Sequence, residues 1–367
     1  MKVLHLIQRS QLRGAEIFAS QLASHINRSG NTAVIVSLFP GNADLPFNGN
    51  IIPLNGNSKG RLHDIKAWKK LAKIIKDEKP DVIQANAGDT LKYAVFSKIL
   101  YRWKQPIVFR NASTISLYIK TWSQRMWNSF LFHFVHKIIS VSNTSALDFS
   151  KLFPAYKTKV ITIPIGIEHL EISRSMNGKA PERVQLNGQG PRIVHVGGFT
   201  FEKNHTGLLE IFHLVLSKEP AASLYLVGDG PLKQKMEGDA RAKGLGSNVK
   251  FCGFQTNAME YIRGADVLVL PSIIEGLPGV LLEAFYCKIP VVAYDVGGIK
   301  EIVKNNKTGR LIPKGDIQAF AEAILEALQK TDKNQRLIDN AYELVMSNYL
   351  NTQIANQFIS VYKSLSS

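Results

Sequence analysis

Short apolar runs recur along this chain with amphipathic stretches between them, and the runs are too uniformly apolar to lie with one face in water. Lys2–Ile7, Ala33–Leu38, Val82–Ala85, Ile107–Arg110, Lys137–Ser142 and Val160–Ile163 form one series. Arg192–Val196, Ser223–Val227, Val249–Cys252, Val267–Pro271 and Pro290–Tyr294 form a second. A strand apolar on both faces is a parallel strand covered by helices on each side. Two such series predict an α/β chain with two doubly wound domains. A length of 367 residues agrees, because a single core usually stops growing before that size. Between the series, Glu168–Gly190 is polar and carries the turn signals Asn177-Gly178, Asn187-Gly188 and Gly190-Pro191. The expected organisation is an N-terminal domain over 1–167, a linker over 168–190 and a C-terminal domain over 191–345. A helix over 346–367 is expected to pack back on the N-terminal domain. The whole tail from Asn334 onward has apolar residues at helical spacing, among them Ile354, Phe358 and Tyr362.

Charge is distributed unevenly between the two series. Residues 1–165 hold 23 Lys and Arg against 8 Asp and Glu, while the remainder holds 22 against 21, so nearly all of the net charge of +16 belongs to the first part. Such asymmetry points to an anionic partner for the N-terminal half, whether phospholipid, a phosphorylated acceptor or nucleic acid; solubility is the plainer explanation. No recognised nucleic-acid module is present, so nucleic acid is not the partner expected. Lysines with a tryptophan in Ser58–Lys79, and the aromatic-rich stretch Tyr101–Phe134, suit an anionic membrane face. The competing reading is a solvated helix face and core aromatics. No apolar run of about eighteen residues occurs, and the apolar part of MKVLHLIQRS is too short for a signal peptide. Cys252 and Cys287 lie in apolar segments without metal-ligand spacing and are expected to be buried small hydrophobes of a reducing compartment. The location these features predict is cytoplasmic, peripheral on the inner face of the cytoplasmic membrane.

The sharpest local constellation is EGLPGVLLEAF, Glu275–Phe285, directly after the strand VLVLPS. Gly276 is expected to take an unusual backbone conformation and Pro278 to sit in the first helical turn. Free amides there would form a phosphate site at the strand's C-terminal edge. Glu283 falls in a helix whose other residues are apolar, so its carboxylate needs a partner; a ribose diol or a structural salt bridge would serve, and an exposed helix face is the alternative. VGGFTFEKNH, Val196–His205, brings Lys203 and Asn204 to the start of the next helix, where a cation neutralises a diphosphate. In VGDGP, Val227–Pro231, Gly228 and Gly230 allow a ligand ring close to the backbone. RGAE, Arg13–Glu16, links the first strand to its helix and brings Gly14 and Glu16 to the opposite wall of a cleft. His195 reads as a core histidine and His205 as a weak donor-site candidate. No Asp-x-Asp, Walker A or metal-ligand helix motif occurs, so neither metal nor cofactor is expected.

Taken in order, VGGF, EKN, VGDGP, FCGF, ADVLVLPS, EGLPGVLLEAF, PVVAYDVGG and KTGRLIP resemble the retaining glycosyltransferases of family 4, over about Arg192 to Pro313. The resemblance implies the GT-B fold, two Rossmann-like domains facing across a cleft, and transfer of a sugar from a nucleotide-sugar, a UDP-sugar by family preference. It implies catalytic roles for Glu275 at the transferred sugar and Lys203 at the diphosphate. It further implies donor contacts from Glu283 to the ribose and from Gly276, Leu277, Pro278 and Gly279 through the backbone, with Gly198, Asn204, Gly228 and Gly230 completing the set. Gly14, Glu16, Arg110 and Asn111 are the acceptor-side candidates. The acceptor class implied is a glycan or lipid-linked glycan of cell-surface polysaccharide or glycolipid assembly. Three positions depart from the family pattern: Gly198 replaces a common arginine, Arg110-Asn111 follows the strand PIVFRNAS where many members have histidine, and Gly14 stands alone where a double glycine is common. The competing readings are a nucleotide-sugar epimerase of the same architecture, a sugar-nucleotide-binding protein without catalysis, and a non-enzymatic nucleic-acid-binding protein using the basic half.

Overall fold

A computed structural model describes residues 1–61, 63–169 and 184–366. The middle of the expected linker, Asn177-Gly178 included, lies outside the described residues. The chain divides into two compact units, Met1–Glu168 with Asn351–Ser367, and His169–Leu350.

The first unit runs β1 (Lys2–Ile7), α1 (Gly14–Arg28), β2 (Thr32–Ser37), β3 (Ile51–Pro53), α2 (Ile65–Glu78), β4 (Val82–Ala85), α3 (Gly88–Tyr101), β5 (Ile107–Asn111), α4 (Trp122–His133), β6 (Val135–Ser140), α5 (Asn143–Leu152) and β7 (Val160–Thr162). Among the described residues its sheet has seven strands, all parallel, in the order β3-β2-β1-β4-β5-β6-β7. Alternation along β1 explains why the run is apolar throughout. Leu4 and Leu6 join one core with Trp68 and Leu71 of α2, Phe132 of α4 and Phe149 of α5. Val3 and Ile7 join a second core with Phe18, Leu22 and Ile26 of α1. Each strand therefore serves two cores, as parallel strands do.

The second unit runs β8 (Arg192–Val196), α6 (His205–Leu216), β9 (Ser223–Val227), α7 (Lys233–Ala242), β10 (Val249–Gly253), α8 (Ala258–Arg263), β11 (Val267–Leu270), α9 (Gly279–Tyr286), β12 (Val291–Tyr294), α10 (Ile299–Ile302), β13 (Arg310–Ile312), α11 (Ile317–Ala327) and α12 (Asp332–Asn348). Its six described strands are again all parallel, in the order β10-β9-β8-β11-β12-β13. Chain order reverses direction at β8/β11, and at β1/β4 in the first unit. Such a switch point is where loops diverge to opposite faces and leave room for a ligand.

Three features depart from the sequence reading. β3 and β13 were not expected, being three-residue edge strands with partly exposed residues. β2 and β6 begin one and two residues earlier than their apolar runs. The helical tail breaks at Tyr349–Leu350, and α13 (Asn351–Lys363) is a separate helix. It packs on α1 within the first unit through Ile354, Phe358 and Tyr362.

The return of the chain to the first unit is fastened at one carboxylate. The Asn351 amide N–H donates to the Ile167 carbonyl at 2.8 Å, and its side chain donates to Glu168 at 2.9 Å and to Gln21 at 3.1 Å. His25 Nε2 lies 3.0 Å from the same Glu168. Burial alone would raise the Glu168 pKa, but the His25 and Asn351 hydrogen bonds and the Arg28 charge hold it below the ordinary value. Phe358 is fully buried, with its ring 5.6 Å from that of Phe18. Phe358→Ala is expected to destabilise the first unit by about 3–5 kcal/mol. Urea unfolding followed by hydrogen exchange should show protection lost in β1, β4 and α1 and retained in β8 to β13.

Candidate functional site

The switch point of the second unit brings together two of the side chains singled out in the sequence. After β8 the chain makes a short 3-10 turn (Phe201–Lys203) that delivers Lys203, and after β11 it delivers Glu275. Lys203 Nζ donates to Glu275 Oε1 at 2.5 Å, and both side chains are largely shielded from water. The loops are also tied through their backbones, since Ile273 N–H donates to the Glu202 carbonyl at 2.8 Å. Asn204 holds the turn in place. It takes a left-handed conformation that asparagine tolerates, caps α6 by accepting from Gly207 N–H at 3.3 Å, and donates to the Pro271 carbonyl at 3.0 Å. The ion pair is thus pre-positioned rather than a chance surface contact.

Glycine fits the surrounding loops because backbone meets backbone there. A Cβ on Gly228 would overlap the Gly197 carbonyl, and one on Gly230 would lie 2.7 Å from the Phe199 carbonyl. Gly297 has φ of +55°, and a Cβ there would overlap the Glu275 carbonyl. The left-handed glycine beside the acidic loop is Gly297 of YDVGG, and the Gly276 carbonyl accepts from Gly298 N–H at 2.8 Å. Gly198 is different, because a Cβ there would sit 3.4 Å from the Asp229 carbonyl and 3.9 Å from Thr200, ordinary contacts that leave room for a side chain.

Pro278 is the N-cap of α9, one position before its first helical residue, Gly279, and no side chain caps that end. The first-turn amides and the positive end of the helix dipole are therefore offered to a ligand. Leu277 is buried and anchors the loop. On α9, Glu283 lies among Leu281, Leu282, Ala284 and Phe285, all buried. Solvent still touches part of its side chain, yet the dense surroundings push its pKa up to about 7. No hydrogen bond or ion pair satisfies it among the described residues.

The histidines and cysteines do not join this site. His195 is buried with Nδ1 2.9 Å from the Val269 carbonyl, and burial lowers its pKa to about 4. His205, expected as a weak donor candidate, is 2% exposed, stacks on Phe199 at 4.1 Å and is held neutral by burial with a pKa near 2. It is a core residue. Cys252 and Cys287 are half-buried free thiols rather than fully buried ones, and burial raises the pKa of each, that of Cys287 to about 11.

In the first unit the acceptor-side candidates separate into two groups. Arg110, on β5, is buried with its guanidinium 4.1 Å from the centre of the Phe18 ring, and its Nη1 has no hydrogen-bond partner. Burial lowers its pKa to about 10, against the pull of Glu16 and Tyr362. Glu16, on α1, is also buried; desolvation raises its pKa despite the Gln11 hydrogen bond at 3.1 Å and the charges of Arg13 and Arg110. Gly14 is exposed, with open space where a Cβ would point. Asn111 faces the opposite side of the sheet, where its amide donates to Ser140 Oγ at 3.2 Å and the Ser145 carbonyl at 3.4 Å. Its hydrogen bonds are internal to the fold.

Two family models match this chain: "Glycosyltransferase Family 4" over residues 12–169 and "Glycosyl transferases group 1" over 177–344. Among curated proteins it is similar to the 2-deoxystreptamine N-acetyl-D-glucosaminyltransferase of Streptomyces fradiae, at 33% identity over 135 residues, 36% of this chain and 32% of that protein. It is also similar to the lipopolysaccharide core biosynthesis glycosyltransferase LpsE of Rhizobium meliloti, at 25% over 187 residues, 50% of this chain and 54% of that one. The matches thus span about half or less of these relatives. Among solved structures, HepE of Anabaena in complex with UDP-glucose superposes with a TM-score of 0.82 at 21% identity, covering 99% of this chain and 100% of that one, a likeness of fold.

The unsatisfied Glu283 carboxyl has a consequence for stability. Its folded pKa near 7 lies above the ordinary 4.5, so ionisation is disfavoured by folding. The destabilisation is absent below about pH 4.5, grows between pH 4.5 and 7, and reaches at most about 3 kcal/mol above that. Glu283→Gln is expected to unfold like the parent near pH 4.5 and to be more stable at pH 8, as read from urea midpoints at the two pH values.

Proposed function

The chain belongs to the family 4, group 1 glycosyltransferases with the GT-B fold, and from that premise we propose that it moves a hexose from a UDP-sugar to a glycan or lipid-linked glycan, with retention at the anomeric carbon. The observation that carries this reading is the Lys203–Glu275 pair at the β8/β11 switch point beside the uncapped N-terminus of α9. An incoming diphosphate competes for Lys203 and meets the α9 amides. Glu275, released from the ion pair, accepts hydrogen bonds from sugar hydroxyls, and Glu283 accepts them from the ribose. The bond between the anomeric carbon and the diphosphate oxygen breaks as the acceptor oxygen bonds to that carbon on the same face, and the acceptor's proton passes to the departing diphosphate oxygen. Charge accumulates on the departing diphosphate, where a fixed cation and fixed dipoles are most effective. Lys203 and the amides supply this positive charge, so the reading includes no metal or cofactor.

Two similar proteins support the choice of substrates, since HepE binds UDP-glucose and LpsE is a glycosyltransferase of lipopolysaccharide core biosynthesis. In the first unit, the excess of Lys and Arg over Asp and Glu supports an acceptor that carries an anionic group. A place at the inner face of the cytoplasmic membrane, where nucleotide-sugars are available to lipid-linked acceptors, completes the proposal.

Thermal-shift titration with UDP, GDP and ADP, followed by transfer assays with UDP-hexoses, tests the donor class. Lys203→Ala is expected to lose the UDP-induced shift and at least about a hundredfold in kcat/KM. Glu275→Gln should lose a similar factor in kcat while keeping the UDP shift. Unchanged turnover in both variants would remove these roles. A second outcome concerns the position where the family commonly has arginine: Gly198→Arg is expected to fold and to bind UDP about tenfold more tightly.

A further inference from the structure

Of the thirteen large apolar side chains exposed among the described residues, nine fall within residues 99–130 of the first unit. The same part of the chain is free of negative charge. Between Asp89 and Asp148 there is no Asp or Glu, against eight Lys and Arg. Arg102, Lys104, Lys120 and Arg125 are exposed.

The feature centres on α4. Its inner face ends in Leu131 and Phe132, which are buried in the core. Its outer face carries Trp122, Met126 and Phe130, 75%, 54% and 44% exposed, spaced four residues apart and so aligned along one ridge. Leu117 and Tyr118, just before the helix, are also exposed, and Ile99 to Tyr101 lie at the end of α3, which packs against α4. The rings of Trp68, Phe96, Trp127 and Phe130 follow one another from core to surface, with centroids 4.9, 5.8 and 6.2 Å apart. The exposed end of the helix is formed in advance. Thr121 Oγ1 accepts from Gln124 N–H at 3.2 Å, and Gln124 Oε1 accepts from the Lys120 and Thr121 amides at 2.8 and 3.2 Å.

An apolar ridge of this kind is uncommon on a surface that stays in water. Its charge selects among the covers. A second copy of the chain would set this stretch, where the carboxylate of Asp148 at Ser116 faces an excess of Lys and Arg, against itself, with like charges opposed. Nucleic acid would use the cations and leave the ridge wet. An anionic lipid surface uses both, since indole and other apolar groups enter the headgroup region while Lys and Arg meet lipid phosphates. α2, the other basic stretch read in the sequence, differs: its Trp68 is buried, and it offers lysines without an aromatic ridge.

We propose that α4 and the turn before it form a docking face for an anionic lipid surface, with Trp122, Met126 and Phe130 inserted and Lys120 and Arg125 on lipid phosphates. The proposal deepens the reading of a lipid-linked acceptor and rests on it for its purpose. It is read out without donor or acceptor, so failure of either is told apart.

Co-sedimentation of the full chain with vesicles of phosphatidylcholine alone, or mixed with phosphatidylglycerol, provides the test. Binding to the mixed vesicles is expected, at least about tenfold weaker to phosphatidylcholine alone or in high salt. The triple variant Trp122→Ser, Met126→Ser, Phe130→Ser should lose at least about tenfold of that binding while keeping the parent melting temperature and UDP shift. Lys120→Glu with Arg125→Glu should remove the preference for phosphatidylglycerol. The proposal is overturned if the triple variant binds mixed vesicles like the parent or the parent does not bind them. It is equally overturned if sedimentation velocity shows a dimer that the triple variant abolishes, or if a generic oligonucleotide binds more tightly than the vesicles and equally to parent and triple variant.

Discussion

Because the described strands of each sheet all run parallel to their neighbours, their C-terminal ends lie along one edge of that sheet, where the loops after neighbouring strands come together. The order reversal at β8/β11 then decides which loops diverge. Lys203 and Glu275, 72 residues apart in sequence, meet because they leave the two strands flanking that reversal. The glycines follow from the same geometry. Loops crowded on one edge approach backbone to backbone, and Gly228 and Gly297 stand where any side chain would strike a neighbouring carbonyl.

Buried ionisable groups in this chain sort by whether they can shed their charge. His5 and His205 are buried with unpartnered ring nitrogens, and burial keeps both neutral, so each costs only missing hydrogen bonds. Arg110 cannot do this, because even a lowered pKa near 10 leaves it charged at neutral pH. Glu283, with a pKa near 7, is balanced between its two forms. A group held in an unfavourable state by the free protein gains most from a ligand that satisfies it. Hydroxyl donors would favour ionised Glu283, whereas Arg110 already has the charge of Glu16 favouring its ionised form against burial.

Most strands were legible because a run apolar on both faces has few other solutions. β3 and β13 escaped because three residues at a sheet edge need little hydrophobicity, and β3 even ends in Pro53. The residue types of EGLPGVLLEAF and EKN singled out Glu275 and Lys203, which the fold then pairs, whereas the left-handed turn at Gly297 depends on a loop approach between separate strands. No local motif encodes that. His205 looked available because it follows Lys203, but its ring turns beneath Phe199, a tertiary contact invisible to spacing. The aromatics of Tyr101–Phe134 fit both of their readings in part. Phe132 and Phe109 are core, while Trp122 and Phe130 are not, and helical phase relative to the sheet makes the difference.

The last helix links the end of the chain to the first unit's candidate residues. α13 packs on α1, the helix that begins at Gly14 and carries Glu16, and Tyr362 on α13 lies near Arg110 and donates its hydroxyl to Gln84. The second core of the first sheet is therefore incomplete until residues 351–363 have been made, although that sheet's strands all lie within the first 162 residues. A chain that emerges N-terminus first must hold Val3, Ile7 and Phe18 partly uncovered while the whole second unit is synthesised. Phe358 and Tyr362 close the α1 face, and Asn351 fixes Glu168. Since Glu16 and Arg110 stand on that face, the packing that finishes the fold also sets the electrostatics of these two residues.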